Sequence, residues 1–228
     1  MQAVAKGAVV AGVKGAGCVV LAVERKAVAK LQDPRTVRKI VRIDANTTAA
    51  FAGLTADARV LIRKARVEAQ SYRLTVEDNP SVEYMARFIA RQQQKHTVRG
   101  GVRPYGITCV IAGTANDGTP ELWQSDPSGN YSAWRATTTG RNQKATREYL
   151  EKNYPADGEE PLTREQSIKL AITALCEVVD SSAKSIEVSV LEQGKEIAVL
   201  GDEAVDAVCK TIEAEKEAAA ASRSGSRD

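Results

Sequence analysis

Short apolar runs open the chain, and a helical rhythm then replaces them. Residues 8–13 (AVVAGV), 18–23 (CVVLAV) and 40–43 (IVRI) have the length and β-branched content of buried strands, with KGAG at 14–17 as the turn between the first two. From Thr55 the spacing changes: Ala58, Leu61, Ile62, Ala65 and Ala69 recur on one helical face, while Arg59, Arg63, Lys64 and Arg66 occupy the others. Thr55 is the expected N-cap of this helix, and Asp57 complements its dipole. A second helix is expected over NPSVEYMARFIARQQQKH, with Asn79 as N-cap, Pro80 at the first helical position and Val82, Met85, Ala86 and Ile89 on the apolar face.

Strands return at 106–115 (GITCVIAGTA), 121–126 (ELWQSD) and 131–139 (YSAWRATTT), separated by the turn sequences NDGTP and PSGN, which predicts an antiparallel meander. Helices are expected at about 142–153 and 163–179. The latter opens on a Thr163/Gln166 capping box and carries Ile168, Ala171, Ile172, Leu175 and Val179 on one face. IEVSVLE and EIAVL then flank a Gln193-Gly194 turn, a last helix starts near Asp202, and a small, polar C-terminal tail is expected to be disordered. An α+β fold accounts for this order: two antiparallel sheets packed face to face with a helix layer outside each, a four-layer αββα sandwich in one domain.

Composition narrows the function classes. A net charge of +3 over 228 residues supplies too weak a field to indicate nucleic acid or a membrane surface. Two Phe and two Trp residues leave little for base stacking, and the single RGG at 99–101 reads as a loop. The four cysteines are widely separated, with Cys18, Cys109 and Cys176 inside apolar runs, which predicts buried thiols in a reducing compartment and no metal-ligand spacing. No apolar run has the length of a membrane span. A soluble intracellular protein is expected. His96, the one histidine, is expected at a solvated helix end, and DPSG at 126–129 as a turn without a ligand.

The segments GLTADARVLIRKARVEAQ, RLTVED, GGVRPYGI and DPSGNYSAWRA, in this order, resemble the alpha subunits of the 20S proteasome, from Met1 to about Lys216. VAKLQDPRTVRKI (28–40), AFAGLTADAR (50–59) and RLTVEDNPSVEY (73–84) look most like the eukaryotic subunit at the fourth of the seven alpha positions. The resemblance implies an N-terminal nucleophile hydrolase fold over 1–216, a tail over 217–228 and no cofactor. Location in cytoplasm and nucleus is implied too, as are partners in neighbouring alpha subunits, the beta ring and regulator C-terminal tails in ATP/ubiquitin-dependent degradation. Family members normally begin with a gate-forming segment, which is expected to be absent because MQAVAKG falls inside the end of the helix that follows it.

Active members of that fold use a threonine freed by cleavage after glycine, whose hydroxyl attacks and whose amine acts as base. Here Gly7 is followed by Ala8, which has no hydroxyl, while Glu24 and Lys39 align with the acid and lysine of the active site. Thr47, Thr48 and Thr137–Thr139 are internal. A non-catalytic subunit is expected, with an amidohydrolase of the same fold as the alternative. From its residues alone, Lys39 could activate a nucleophile, hold a partner's carboxylate or form an ordinary ion pair. The resemblance implies that Lys39, Gly53 and Leu54 line a pocket between subunits where regulator tails insert, the ammonium meeting the terminal carboxylate. Arg59, Arg63 and Arg66 are either a solvated face or contacts to the beta ring.

Overall fold

The computed structural model describes residues 2–25, 31, 38–156, 158–179 and 185–224, with side chains up to residue 215. Most of segment 28–40 and the last four residues lie outside these. The described chain runs α1 (Gln2–Ala5), β1 (Val10–Gly15), β2 (Cys18–Glu24), β3 (Ile40–Arg42), β4 (Thr47–Gly53), α2 (Thr55–Val76) and α3 (Val82–Val98). It continues with β5 (Ile107–Thr114), β6 (Pro120–Ser125), β7 (Tyr131–Ala133), β8 (Ala136–Thr139), α4 (Gln143–Asn153), α5 (Arg164–Cys176), β9 (Ile186–Glu192), β10 (Ala198–Val199) and α6 (Asp202–Ser224).

The strands form two five-stranded sheets, ordered β10-β9-β2-β1-β8 and β3-β4-β5-β6-β7, and every neighbouring pair is antiparallel. The side-chain alternation of β2 shows the layering. Cys18, Val20 and Ala22 pack with the apolar faces of α5 and α6, whereas Val19, Leu21 and Val23 enter a second cluster with Val110, Ala112 and Leu122 of the other sheet. In β5, Ile107, Cys109 and Ile111 face outward onto α2 and α3. Three apolar clusters thus separate four layers, as the αββα sandwich requires.

Local details depart from the sequence reading at several points. Residues 131–139 are not one strand. β7 pairs with β6, the Trp134 N–H still bonds the Leu122 carbonyl at 2.8 Å, and the Arg135 carbonyl already accepts the Lys14 N–H at 2.8 Å, so the chain crosses between sheets at Trp134-Arg135. The N-cap of α3 is Ser81, whose hydroxyl accepts the Tyr84 N–H at 3.1 Å, not Asn79. Thr55 is already helical, and Leu54, at the N-cap position, makes no side-chain cap bond. The Thr163/Gln166 capping box is present as expected, but α5 ends at Cys176, with Val179 buried beyond it. Cys176 is only half-buried, whereas Cys209 joins Cys18 and Cys109 among the buried free thiols. Burial pushes the Cys109 thiol up to about 12. Helix α6 continues to Ser224, through part of the segment expected as a tail.

Candidate functional site

The approach to β1 and the end of β2 hold Ala8 and Glu24, two of the residues expected to align with the active site of the fold. Ala8 is fully buried, and the Gly7-Ala8 peptide is an ordinary internal amide. Glu24, at the end of β2, spends both carboxylate oxygens: Oε2 accepts the Val9 N–H at 3.1 Å and Oε1 accepts Arg141 Nη2 at 2.6 Å. The chain around Gly140 closes over this point. The Arg141 N–H donates to the Gly7 carbonyl at 3.1 Å. Gly140 has φ +108°, and a Cβ there would lie 2.3 Å from the Ala8 carbonyl oxygen. A carboxylate clamped by a guanidinium and a backbone N–H is a structural tie, and the residue after Gly7 brings no hydroxyl to it.

Lys39, just ahead of β3, is 7 % exposed, and its backbone N–H donates to Glu187 Oε2 at 3.4 Å. Glu187 pairs with Val23 in the β2–β9 register, one residue from Glu24, so Lys39 and Glu24 occupy the same end of the sheets. Burial raises the Glu187 carboxyl, against the lowering effect of the Lys39 N–H bond and of Arg25 and Arg38.

That end also carries Gly53 and Leu54. The β3–β4 register, Ile40 opposite Ala50, sets the start of β3 beside the end of β4. Gly53 has φ +118°, and a Cβ would stand 2.1 Å from the Gly106 carbonyl oxygen, which accepts the Leu54 N–H at 3.1 Å. Leu54 is 44 % exposed, an apolar side chain open to solvent at this end. Asp57, expected only to complement a helix dipole, staples this corner. Its carboxylate takes both terminal nitrogens of Arg103 at 2.7 Å and the Gly106 N–H at 2.9 Å. The Arg103 hydrogen bonds, and after them the Gly106 N–H, hold the Asp57 carboxyl below the usual range against the opposing effect of burial. Lys39, just ahead of β3, and Gly53 and Leu54, where β4 gives way to α2, therefore lie toward the same end of their sheet, and Asp57 and Arg103 fix the α2 side of that end.

The outer face of α2 is a second feature. Val60, Val67 and Leu74 are 51 %, 64 % and 85 % exposed. Their spacing of seven places them on one line, opposite the buried Ala58, Leu61, Ile62, Ala65 and Ala69. The spacing is visible in the sequence, but Arg59, Arg63 and Arg66 beside these positions make the face read as charged. His96 is neither isolated nor paired with a nucleophile: Nδ1 lies 3.0 Å from the Gln92 carbonyl and the ring packs on Tyr105 at 4.4 Å. Among the described residues no cluster of His, Cys, Asp and Glu could hold a metal, and no helix is long and apolar enough to cross a membrane.

Residues 4–191 match the family model described as Proteasome subunit. The chain is 53 % identical over 217 residues to the proteasome subunit alpha type-7 of Dictyostelium discoideum, covering 95 % of this chain and 85 % of that protein. It is 51 % identical over 224 residues to the alpha type-7 subunit of Solanum lycopersicum, covering 98 % and 85 % of the two chains. With the alpha type-8 subunit of Mus musculus the identity is 49 % over 223 residues, 98 % and 88 % of the two chains. The chain belongs to the proteasome subunit family, and within it to the alpha type.

Proposed function

We propose that this chain is a non-catalytic subunit of the outer alpha ring of the 20S core particle, at the fourth of the seven positions. Residues 1–216 form its ring-building body and 217–228 its tail. It packs between two alpha neighbours and onto the beta ring, in cytoplasm and nucleus, and serves ATP/ubiquitin-dependent protein degradation. The observation that carries the non-catalytic reading is chemical: the residue after Gly7 is a buried alanine, and Glu24 is tied to Arg141 and Val9. An amidohydrolase needs a free hydroxyl and amine at that point. The exposed line Val60, Val67 and Leu74, flanked by Arg59, Arg63 and Arg66, supports burial of α2 against the beta ring.

Lys39, Gly53 and Leu54 receive the C-terminal tail of a regulator, the lysine ammonium meeting the terminal carboxylate and Leu54 forming an apolar wall. The β3–β4 register, which sets Lys39 toward the same end of the sheet as Gly53, and the exposure of Leu54 support this reading. The test uses intact particles containing Lys39→Ala. Ring assembly should be unchanged, while a regulator-tail peptide loses about tenfold in affinity at this pocket, the scale of one charge-assisted contact. Unchanged peptide binding removes Lys39 from the pocket. Labelling of this chain by a threonine-directed covalent inhibitor overturns the non-catalytic assignment.

A further inference from the structure

Where β3 ends, the loop after it and one flank of α2 enclose an open cleft of about 410 Å³ walled by Arg42, Asp44, Arg66, Gln70 and Arg73. Two of its guanidiniums are held by their inner nitrogens. Arg42 Nε donates to the Asp44 carbonyl at 2.9 Å, and Arg66 Nε donates to the Arg42 carbonyl at 2.9 Å. Both residues are exposed, and neither makes an ion pair among the described residues. Each bond fixes a guanidinium plane while leaving its terminal nitrogens unspent, the fork that matches a carboxylate. Arg73, seven residues and about 10 Å along α2 from Arg66, donates instead to Asp44 Oδ1 at 3.2 Å, which Gln70 also approaches at 3.5 Å.

Asp44 adds a second requirement. Its side chain is 2 % exposed, and Oδ2 has no hydrogen-bond partner among the described residues. A buried carboxylate oxygen without a donor is costly, and an occupant that brings an N–H repairs it. The cleft therefore asks for an acceptor at Arg42 and Arg66 and a donor at Asp44. A free inorganic anion supplies only the first and is repelled by Asp44. An acidic side chain on a polypeptide supplies both, its carboxylate to the arginines and a main-chain N–H to Oδ2. Among the described residues β3 is the edge strand of its sheet, and the cleft at its end is open.

We infer that this cleft seats an acidic segment of another subunit in the assembled particle, a contact separate from the Lys39 pocket. The inference rests on the ring-subunit reading above. The test introduces Arg66→Lys into the full chain within the intact particle and treats it with a zero-length carbodiimide, which joins an amine to a carboxylate in direct contact. The expected product is an amide between position 66 and an Asp or Glu of a different subunit, absent from wild-type particles. The double variant Arg42→Gln/Arg66→Gln should dissociate from its neighbours at lower salt, with about tenfold weaker association. Coupling of position 66 only within its own chain, or a double variant with unchanged salt resistance in an intact particle, overturns the inference and leaves the ring reading standing. Failure of the wild-type chain to enter any multi-subunit particle overturns both.

Discussion

The contrast between Ala8 and Glu24 carries the argument at the scale of single residues. Hydrolysis on this fold needs a free N-terminal hydroxyl residue, and here the candidate position is alanine inside a closed backbone, with the Arg141 N–H bonded to the Gly7 carbonyl. Restoring the hydroxyl alone should restore nothing. An Ala8→Thr chain is expected to remain unlabelled by a threonine-directed inhibitor and inactive on peptides, because the amine stays in a peptide bond and Glu24 stays tied to Arg141. Appearance of a labelled, processed chain by intact-mass analysis would sink this. Asp57 offers a pH-dependent counterpart. Its carboxyl is lowered in the fold, mainly by the Arg103 hydrogen bonds, so its stabilising contribution is present above the unfolded value of about 3.9 and disappears as pH falls through the lower folded value. Thermal melts of Asp57→Asn should therefore lie a few degrees below wild type near neutral pH, with the gap closing below about pH 4. A gap that stays constant from neutral pH to pH 3 would mean that Asp57 acts through packing alone.

Elements were legible where one periodicity governed them and illegible where a single side-chain bond or a change of sheet decided the outcome. The alternating faces of β2 and β5 and the apolar face of α2 follow directly from spacing, which is why the four layers could be read in advance. The crossing at Trp134-Arg135 could not, because a strand that leaves one sheet for another keeps extended dihedrals and shows no break in pattern. Helix starts failed for a similar reason: Asn79 and Ser81 are both good caps, and only geometry shows that the Ser81 hydroxyl takes the bond. Ser81→Ala is accordingly expected to cost about 1 kcal/mol in denaturant unfolding, whereas Asn79→Ala should stay within about 0.5 kcal/mol. The reverse order would return the cap to Asn79. At the candidate site, Lys39, Gly53 and Leu54 could be chosen only by resemblance, and the β3–β4 register sets them toward one end of the sheet. The Asp57–Arg103 staple and the Arg42–Asp44–Arg66 cleft join residues 46, 2 and 24 positions apart, and nothing periodic marks such pairs.

At the scale of the whole molecule, the outer face of α2 carries a line of apolar side chains that the sandwich does not cover. Three interior clusters bury the inner faces of the helices and both faces of the sheets, yet Val60, Val67 and Leu74 remain in solvent on a helix of 22 residues, about 33 Å long. An apolar line opposite a well-packed face contributes nothing to the isolated fold, so its energetic effect should fall on assembly. Burying such side chains against a partner is worth about 1.5–3 kcal/mol each. Replacing all three by serine should leave the unfolding free energy of the isolated chain within about 1 kcal/mol, since exposed sites are tolerant and serine matches valine in helix propensity. The same triple variant should fail to enter the multi-subunit particle, or enter it only as a partial ring, when co-expressed with the other subunits and analysed by native mass measurement. Entry at the wild-type level would show that α2 faces solvent in the assembly and would move the beta-ring contact to another surface. Marked destabilisation of the isolated chain would show instead that the line already packs within the fold.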